Sequence, residues 1–423
     1  MKRAVFLMMG FFIAISTLTL WAGGSKEIQK TGPVKINYWT LFTGGDKDYM
    51  DAMVEKFAQE NKDIQVDQLV AKWENFYDFL TTAIAGGNAP DVAVIHMTYV
   101  PVLASKGALF PIDDDIKRMN IPGDDFLDVP WQRTFFQGKQ YAVPLDVHPL
   151  ILFYNTKVLR EAGLIGTDGK FAPPTTPEGW LKAFETIKTK TKAVPYNFAA
   201  NSTGLYREWF GLLHQFGGTL LSADNKRAAF NSLEGVAALQ LLVDFVYKYG
   251  YSKENLTVQQ TFTMFKNNES ATEGYGVWRT GAYEKENIEF GTTFYPTFGK
   301  QPAFWANSHV FALPQQRKKD TQKVDASMKF INWMTNNTIM WTKAGHVPSR
   351  KSVIKSKEYQ ALNNRPFAKD ISMLSYVKYA PAITSLDEVE KFVIEAVQAA
   401  VIAKKDVKQA LDDAAQKVNN VLK

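Results

Sequence analysis

Cysteine is absent from this chain of 423 residues. Its absence excludes disulfide bonds, thiolate metal sites, a cysteine nucleophile and a lipid anchor attached through cysteine. Exported proteins use disulfides when they are too small to bury an adequate core, and a chain of this length has no such need. We therefore expect a core that holds by packing alone.

A long apolar run is also missing once the N-terminus is passed. The first residues carry Lys2 and Arg3, an apolar stretch over 4–20 and small residues at 22–24, which is the layout of a secretory signal peptide. We expect cleavage after Ala22 and a soluble, exported chain that is periplasmic or otherwise extracytoplasmic. An uncleaved anchor is the alternative, because the apolar stretch is just within the lower limit for crossing a bilayer.

Basic residues do not cluster along the sequence. The formal net charge is +6, and lysine and arginine are interleaved with acidic residues. Proteins that bind nucleic acid concentrate lysine and arginine on one face. The longest basic run, 317–319, follows Pro314 and is typical of a solvated loop, so we predict no nucleic-acid partner.

The sequence does contain an alternation of strand and helix patterns. "VKINYW" at 34–39 alternates apolar and polar residues as a strand does, and residues 47–61 have helical spacing. A strand at 64–71, a helix over 76–85, the breaker "GGNAP" and the strand "DVAVIH" follow. A second series begins with "LILFYN" at 150–155 and ends with two helices over 386–422. This alternation predicts an α/β fold with largely parallel sheets.

Polar and aromatic side chains follow the predicted strands. In α/β sheets, ligands bind beyond the carboxyl ends of the strands. Aromatic residues make up 13% of the chain, and many stand next to Gly, Asn, Ser or His rather than inside apolar runs, which favours aromatic surfaces that face a cleft. The stretches to inspect are 39–47, 96–99, 146–149, 276–279 and 305–309.

Seven segments of the chain are informative together: "YWTLFTGGDKDYMDAMVEKFAQEN", "AGGNAPDVAVIHMTYVPVLASKGALFPID", "YAVPLDVHPLILFYNTKVLREAGL", "PTTPEGW", "GYGVWRTGAYE", "YPTFGKQPAFWANSHVFALP" and "AGHVPSRKS". In this order they resemble the extracytoplasmic solute-binding proteins of ATP-driven (ABC) importers, in the sugar-binding group that includes maltose-binding protein. The resemblance covers essentially the whole chain after the N-terminal segment.

The resemblance implies a two-lobed periplasmic-binding-protein fold of type II, with interleaved lobes joined by a hinge. After a signal peptide at 1–22, it places the first lobe over 23–147 and 282–313, and the second over 148–281 and 314–423. The chain would cross between lobes near 147–150, 280–283 and 312–315. Asp146 and His148 would then stand on the floor of the cleft.

The resemblance also implies substrate contacts. Asp46 and Lys47 match positions of polar sugar contacts, Asp146 matches a carboxylate contact and Trp278 matches a stacking tryptophan. Tyr206 and Trp209 match an aromatic contact region. The remaining candidates share loops that face the same opening: Trp39, Trp73, His96, His148, Trp305, Asn307, Ser308 and His309. A second stacking tryptophan of the family is missing, because Phe392 is the one aromatic residue in 386–404.

These residue types suit a sugar, whose hydroxyls both donate and accept hydrogen bonds and whose C–H face packs on aromatic rings. Each candidate also has a structural alternative. Asp146 could brace the hinge strand, and His148 could be satisfied by backbone groups. Trp278 and Trp305 could belong to the core, and Asp46 could favour the start of a helix.

The predicted function is capture of a carbohydrate between the lobes and delivery to a membrane permease energised by a cytoplasmic ATPase, by a monomer without cofactor or metal. A polyol or glycerol-phosphate-like solute is the alternative, which a dominant role for Lys47 together with an arginine not yet identified would favour.

A secreted carbohydrate-active enzyme is the rival class. Asp91 and Asp146 would be its carboxylate pair, but Asp91 follows Pro90 at the start of a strand, opposite the cleft. The sequence lacks G-x-S-x-G, H-E-x-x-H and P-loop motifs. The five histidines, His96, His148, His214, His309 and His346, have no metal-site spacing. We therefore predict a binding protein and no enzyme.

Overall fold

The computed structural model describes residues 32–423. The expected signal peptide and its cleavage after Ala22 lie outside the described residues. Among residues 32–423, no helix combines the length and the apolar character that a bilayer crossing requires.

Strands occur throughout the described chain. They are β1 (Val34–Thr40), β2 (Ile64–Val70), β3 (Val92–His96), β4 (Phe135–Phe136), β5 (Lys139–Gln140), β6 (Ala142–Pro144), β7 (Asp146–Asn155), β8 (Val194–Asn197), β9 (Ser270–Gly276), β10 (Phe290–Phe294), β11 (Phe304–Asn307), β12 (His309–Ala312), β13 (Val347–Pro348) and β14 (Val377–Lys378).

Helices alternate with these strands. They are α1 (Lys47–Glu60), α2 (Trp73–Gly86), α3 (Val100–Ser105), α4 (Asp113–Arg118), α5 (Asp128–Gln132), α6 (Thr156–Glu161), α7 (Pro177–Lys190), α8 (Thr203–Phe216), α9 (Leu233–Tyr247), α10 (Val258–Lys266), α11 (Arg279–Lys285), α12 (Thr321–Asn336), α13 (Thr338–Thr342), α14 (Lys351–Ile354), α15 (Lys357–Ala361), α16 (Pro366–Lys369), α17 (Leu386–Val401) and α18 (Val407–Val421). Short 3-10 helices lie at Met97–Tyr99, Gly123–Asp125 and Ile371–Tyr376.

The first lobe is built on a five-stranded sheet in the order β2-β1-β3-β12-β6. β1 runs parallel to both β2 and β3, as the strand and helix alternation predicts. β12 runs antiparallel to β3 and β6, because it returns from the other lobe. The core of this lobe joins the buried face of α1 to α12, where Phe57 packs edge-on against Phe330 at 5.0 Å between ring centroids.

The second lobe is built on a sheet in the order β14-β11-β7-β9-β8, and β10 and β13 also pair with β7. The ten-residue strand β7 lies in the middle of this sheet, and almost all of its side chains are buried. Burial on both faces explains the run of apolar residues in its second half. α7 begins with the predicted cap, because the Thr176 hydroxyl accepts from the Gly179 amide and Pro177 occupies the first turn. The two-lobed α/β prediction is confirmed.

The crossings between lobes differ in position from those expected. The first lies at Leu145, between β6 and β7, close to the expected 147–150. The second lies at Ser308, between β11 and β12, and the third at 345–346, between α13 and β13. Residues 282–307 pack in the second lobe rather than the first, because β10 and β11 pair with β7.

The second part of the first lobe therefore runs from the start of β12 through α12 and α13. α16 and the predicted pair of helices at the C-terminus, α17 and α18, pack in the core of the second lobe. The start of α14 instead contacts the first lobe, where Arg350 Nη1 donates to Asp125 at 3.2 Å. All three crossings meet at the start of β7, where His148 pairs with Asn307 and Val147 pairs with Val347. Three adjacent crossing segments of this kind form a hinge.

Candidate functional site

A cavity of about 720 Å³ lies between the two lobes. Its size is in the range of small-molecule sites. The first lobe contributes the loop 43–46 after β1, the start of α2, and His96 and His309 at strand ends. The second lobe contributes His148, the starts of α8, α10 and α11, and part of α17.

Gly45 allows the two walls to touch at one edge of the cavity. A Cβ atom at Gly45 would lie 2.6 Å from the Ala282 Cβ and 2.8 Å from its backbone nitrogen. The loop after β1 can therefore approach α11 of the second lobe only with glycine at this position.

Six of the residues predicted from the sequence line this cavity. The first lobe supplies Asp46, Trp73, His96 and His309, and the second lobe supplies His148 and Trp278. The structure therefore brings together candidates that are up to 263 positions apart in the sequence.

Asp146 differs from the expectation of a direct substrate contact. Its side chain is fully buried and does not line the cavity. Oδ1 accepts hydrogen bonds from His148 Nδ1 and from the His309 amide, both at 3.0 Å. Oδ2 accepts from His309 Nδ1 at 2.8 Å and from Trp341 Nε1 at 2.7 Å. The carboxylate braces the hinge, which is the structural alternative that the sequence left open.

Each of the three crossing segments sends an imidazole to this carboxylate. His148 comes from the first crossing and His309 from the second. His346 comes from the third, and its Nδ1 lies 3.1 Å from Asp146 Oδ2, while its Nε2 lies 3.7 Å from Asp46 Oδ2. Asp146 is thus the common contact of the hinge.

Burial and charge set the protonation of this cluster. Burial alone would raise the pKa of Asp146, but the nearby imidazoles of His309 and His346 hold it well below its usual value. Burial also opposes charge on His346, yet the carboxylates of Asp146 and Asp46 outweigh it and raise the pKa of His346 to about 9. Burial lowers the pKa of His148 to about 3. At neutral pH, an imidazolium at His346 therefore faces the Asp146 carboxylate beside a neutral His148.

The hydrogen bonds also fix which nitrogen carries the proton. His148 uses its Nδ1 hydrogen on Asp146, so Nε2 of the neutral ring is an acceptor. The Tyr77 hydroxyl accepts from the His96 amide at 2.9 Å and lies 2.7 Å from His96 Nδ1. Burial keeps the pKa of His96 well below its usual value, so the ring is neutral. We assign its proton to Nε2, because the Tyr77 hydroxyl hydrogen then has Nδ1 as its acceptor. The cavity wall therefore carries one imidazole acceptor and one imidazole donor.

The same cluster is the candidate metal site of the described chain. Asp146, His148, His309 and His346 each offer a ligand atom, and these atoms lie within 4.8 Å of one another. Sequence spacing did not show this convergence, because the four residues come from three crossing segments. Both oxygens of Asp146 already accept hydrogen bonds from ring nitrogens, which a metal ion would have to displace. Asp146, His148 and His309 form a hydrogen-bond network, and His346 lies beside it as a charged neighbour.

Several predicted contacts lie outside the cavity. Trp209 is fully buried in the second core and its Nε1 donates to the Gly235 carbonyl at 3.1 Å. Tyr206 is buried and donates to Glu390 at 3.1 Å. Trp39 stacks on Phe79 at 4.6 Å. Tyr206 and Trp209 serve packing, because their place on α8 turns them into the core. Trp39 lies on the other face of β1 from the buried Tyr38 and is half-buried against the exposed Phe79.

The polar candidates outside the cavity have protein partners. Lys47 pairs with Asp51 on α1. Asn307 donates to the Thr98 hydroxyl at 3.0 Å, and the Ser308 hydroxyl donates to the Asp146 carbonyl. Asn307 and Ser308 thus belong to the hinge, and Lys47 to the surface of a helix.

Trp305 is nearly buried and does not line the cavity, but it packs against Arg207, which does. The guanidinium carbon of Arg207 lies 4.7 Å from the centroid of Trp305 and 5.3 Å from that of Trp278. Arg207 lines the cavity. Sequence reasoning treated the "GLYREWF" segment as a source of aromatic contacts and missed this arginine, although α8 turns Arg207 to the cavity and Trp209 to the core.

Sequence reasoning also missed two helix starts that line the cavity. The segments 201–204 before and within α8 and 257–259 at the start of α10 line the cavity. Ser202 and Thr257 cap these two helices, and their orientation toward the cleft depends on the packing of the second lobe. Tyr275, at the end of β9, adds an aromatic face beside Trp278 at 5.5 Å.

This chain is similar to known proteins over most of its length. Residues 43–341 match the family described as bacterial extracellular solute-binding protein. A relative named diacetylchitobiose binding protein DasA, from Streptomyces coelicolor, is 24% identical over 340 residues, which are 76% of this chain and 77% of the relative.

Solved structures share the fold. The cyclic alpha-maltosyl-1,6-maltose binding protein from Arthrobacter globiformis is 26% identical, with a TM-score of 0.73 over 92% of this chain and 99% of the other. UgpB from Mycobacterium tuberculosis, in complex with glycerophosphocholine, has a TM-score of 0.80 at 20% identity, over 93% of this chain and 98% of the other. Because the family match spans more than half of its length, the chain belongs to the bacterial extracellular solute-binding proteins.

Proposed function

We propose that this protein captures a carbohydrate in the cleft between its lobes and delivers it to the permease of an ATP-driven importer on the outer face of the cytoplasmic membrane. Family membership supports a solute-binding role. The names of DasA and of the Arthrobacter protein refer to oligosaccharide ligands, which favours a sugar here. The proposed form is an exported monomer without catalytic activity or cofactor.

The observation that carries the proposal is the pair of imidazoles with opposite polarity. His148 presents an acceptor nitrogen and His96 presents an N–H donor, and their ring centroids are 5.8 Å apart. A sugar hydroxyl donates one hydrogen bond and accepts others, so two neighbouring hydroxyls can satisfy both rings. Because the cavity removes these groups from water, a solute without matching hydroxyls leaves them unpaired at a cost of about 1–3 kcal/mol each.

Aromatic side chains on both walls suit the apolar face of a pyranose ring. Trp73 lies on the first lobe, and Tyr275 and Trp278 lie on the second. These rings enclose a sugar only when both walls approach it, so ligand binding favours a closed arrangement of the lobes. The hinge at the start of β7 is the proposed axis, with the two lobes moving as separate bodies on either side of Asp146.

Isothermal titration calorimetry with a panel of mono- and oligosaccharides tests this function, together with analysis of the sugar after incubation. We expect at least one sugar to bind and to be recovered intact. His96→Phe keeps a ring and removes both nitrogens, so it should weaken that sugar by about 10-fold or more.

His214→Phe is the matched control. His214 lies on α8 outside the cavity and packs edge-on against Phe210 at 4.7 Å, so its replacement should leave affinity unchanged. Equal losses in the two variants would contradict the proposed site. Cleavage of the sugar would show a carbohydrate-active enzyme instead.

A further inference from the structure

Arg207 is a positive charge held in the cleft by aromatic rings. It lies one turn into α8, on the wall formed by the second lobe. Its guanidinium packs over Trp305 and against Trp278, the indole expected to stack on a sugar. Stacking of this kind covers the flat face of a guanidinium and leaves the N–H groups at its edges available.

In the part of the chain that the structure describes, those N–H groups have no protein acceptor. Within residues 32–423, the Arg207 guanidinium donates no side-chain hydrogen bond and has no carboxylate within 4 Å, as the ion pairs and hydrogen bonds of the described chain show. Arg279, in the same cavity wall, differs in this respect: its Nη2 lies 3.3 Å from Glu273 Oε1 and 3.4 Å from the Thr261 hydroxyl.

The acidic groups near Arg207 are otherwise engaged. Glu390 on α17 attracts the Arg207 charge without pairing with it. It accepts a hydrogen bond from Tyr206, and burial raises the pKa of this carboxyl to about 7, so it balances the guanidinium only in part at neutral pH. Asp46, across the cavity, faces His346. Glu74 is exposed at the start of α2. None of these carboxylates forms an ion pair with Arg207 among the described residues.

A partly buried guanidinium without a counter-ion is costly unless a partner arrives with the ligand. A neutral hydroxyl can accept one hydrogen bond but leaves the charge uncompensated. A carboxylate or phosphate matches the fork of N–H donors with two parallel bonds and also neutralises the charge. The start of α8, which lines the same wall, adds the positive end of a helix dipole.

We propose that the solute is an acidic carbohydrate, and that Arg207 binds its carboxylate or phosphate group while the imidazoles of His96 and His148 bind its hydroxyls. This inference rests on the carbohydrate function proposed above and narrows it to one class of sugar. The oxyanion would be carried either by a uronic acid unit or by a sugar phosphate, and both present the same group to Arg207.

Calorimetry with matched pairs of probes separates charge from sugar. The pairs are digalacturonate with its dimethyl ester, and glucose 6-phosphate with glucose; sn-glycerol 3-phosphate is the anion without a sugar. We expect the acidic member of at least one sugar pair to bind roughly 30-fold or more tightly than the neutral member. The pair that shows the gap identifies carboxylate or phosphate as the source of the charge.

Arg207→Gln should weaken binding of the acidic member, so that its affinity exceeds that of the neutral member by about threefold or less. Arg207→Lys should retain part of the affinity difference, because lysine keeps the charge without the fork of N–H donors. Arg160→Gln is the matched charge control: Arg160 lies on α6 of the same lobe, outside the cavity, and is 61% exposed. It should leave both affinities unchanged.

The outcomes separate the two proposals. Equal binding of neutral and acidic members, or equal weakening of both by Arg207→Gln, would overturn the acidic-sugar inference and leave the carbohydrate function intact. Binding of sn-glycerol 3-phosphate alone, lost in Arg207→Gln, would support the anion contact and overturn the carbohydrate function. Absence of binding by every probe at about 10 mM would overturn the inference, and the carbohydrate function would then be decided by the wider sugar panel above. A neutral solute released from the protein purified without denaturation would also overturn the inference.

Discussion

Asp146 and Arg207 are both charged side chains removed from bulk water, one at the hinge and the other in the cleft. Asp146 accepts hydrogen bonds from His148, the His309 side chain and amide, and Trp341. Arg207 packs against two indoles and has no acceptor in the described chain. The first charge is fully hydrogen-bonded by the fold, whereas the second has no ion pair or hydrogen bond in the described chain and is only partly balanced by the nearby Glu390 carboxyl.

The difference separates a structural charge from a binding charge. A charge that every neighbouring donor already satisfies has no capacity left for a solute, and its removal leaves its partners unpaired. A charge that has no partner contributes little to folding and is free to bind. Replacements at the hinge should therefore change stability most, and replacements at Arg207 should change affinity most.

The largest effect is expected for Asp146→Asn. The amide has the same shape but puts an NH2 group against donors, whichever way it is turned, and it removes the nearer of the two carboxylates that face His346. We expect the free energy of unfolding to fall by about 3–5 kcal/mol. Urea titration followed by circular dichroism measures it.

Asp67→Asn is the control, because Asp67 pairs with Lys35 at the surface and should contribute less than about 1 kcal/mol. If the two variants lose the same stability, Asp146 does not brace the hinge.

The fold was predictable from sequence to a useful degree, and the hinge was not. Apolar periodicity gave the strands before and after the cleft, and the family resemblance gave two interleaved lobes. Crossings two and three were placed too far upstream, because β10 and β11 belong to the second lobe through pairing with β7, and pairing between distant strands is not visible in local spacing. Family position correctly singled out Asp146 but assigned it to the ligand.

A smaller effect is expected for Trp341→Phe. Phenylalanine retains the packing of an aromatic ring against Phe42 and His346 but removes the N–H that donates to Asp146. A lost hydrogen bond to a buried carboxylate should lower the free energy of unfolding by about 2–3 kcal/mol.

Trp333→Phe provides the matched comparison, since Trp333 Nε1 makes the same kind of bond to the exposed Glu60 carboxylate at 2.8 Å. We expect it to lose less than about 1 kcal/mol, because water can replace the bond. A larger loss in Trp333→Phe than in Trp341→Phe would contradict the special role of the hinge carboxylate.

The hinge charge also predicts a dependence of stability on pH. The pKa of His346 is raised to about 9 in the folded protein, so the stability it contributes is fully present below its unfolded pKa of about 6.5 and is lost as the pH rises through 9. Between pH 7 and pH 9 the free energy of unfolding should fall by about 2 kcal/mol.

His346→Gln should flatten this limb, because glutamine does not titrate. Burial raises the pKa of Glu208 and Glu390 to about 7, so their contributions are lost mainly as the pH rises from about 4.5 to 7 and they interfere little above it. An equally steep decline from pH 7 to pH 9 in His346→Gln would assign the titration to another group.

The site was less predictable than the fold for a physical reason. Trp209 and Arg207 are two residues apart on α8, yet one enters the core and the other lines the cavity. Helical spacing tells which residues share a face, but only the packing of α8 on β11 and α9 decides which face meets the cleft. The sequence analysis therefore selected the right segment of α8, but it named Trp209, which is in the core, and not Arg207, which lines the cavity.

The smallest effect on stability is expected for Arg207→Gln in the protein without ligand. Loss of the contacts with two indoles and relief of an uncompensated charge act in opposite directions, so the free energy of unfolding should change by less than about 1 kcal/mol. Arg279→Gln is the matched variant: it removes the same charge from the same wall but leaves Glu273 buried without its ion pair, at an expected loss of about 3 kcal/mol or more. Equal losses of stability in the two variants would mean that Arg207 stabilises the fold as Asp146 does. The distinction between a structural charge and a binding charge would then be wrong for Arg207.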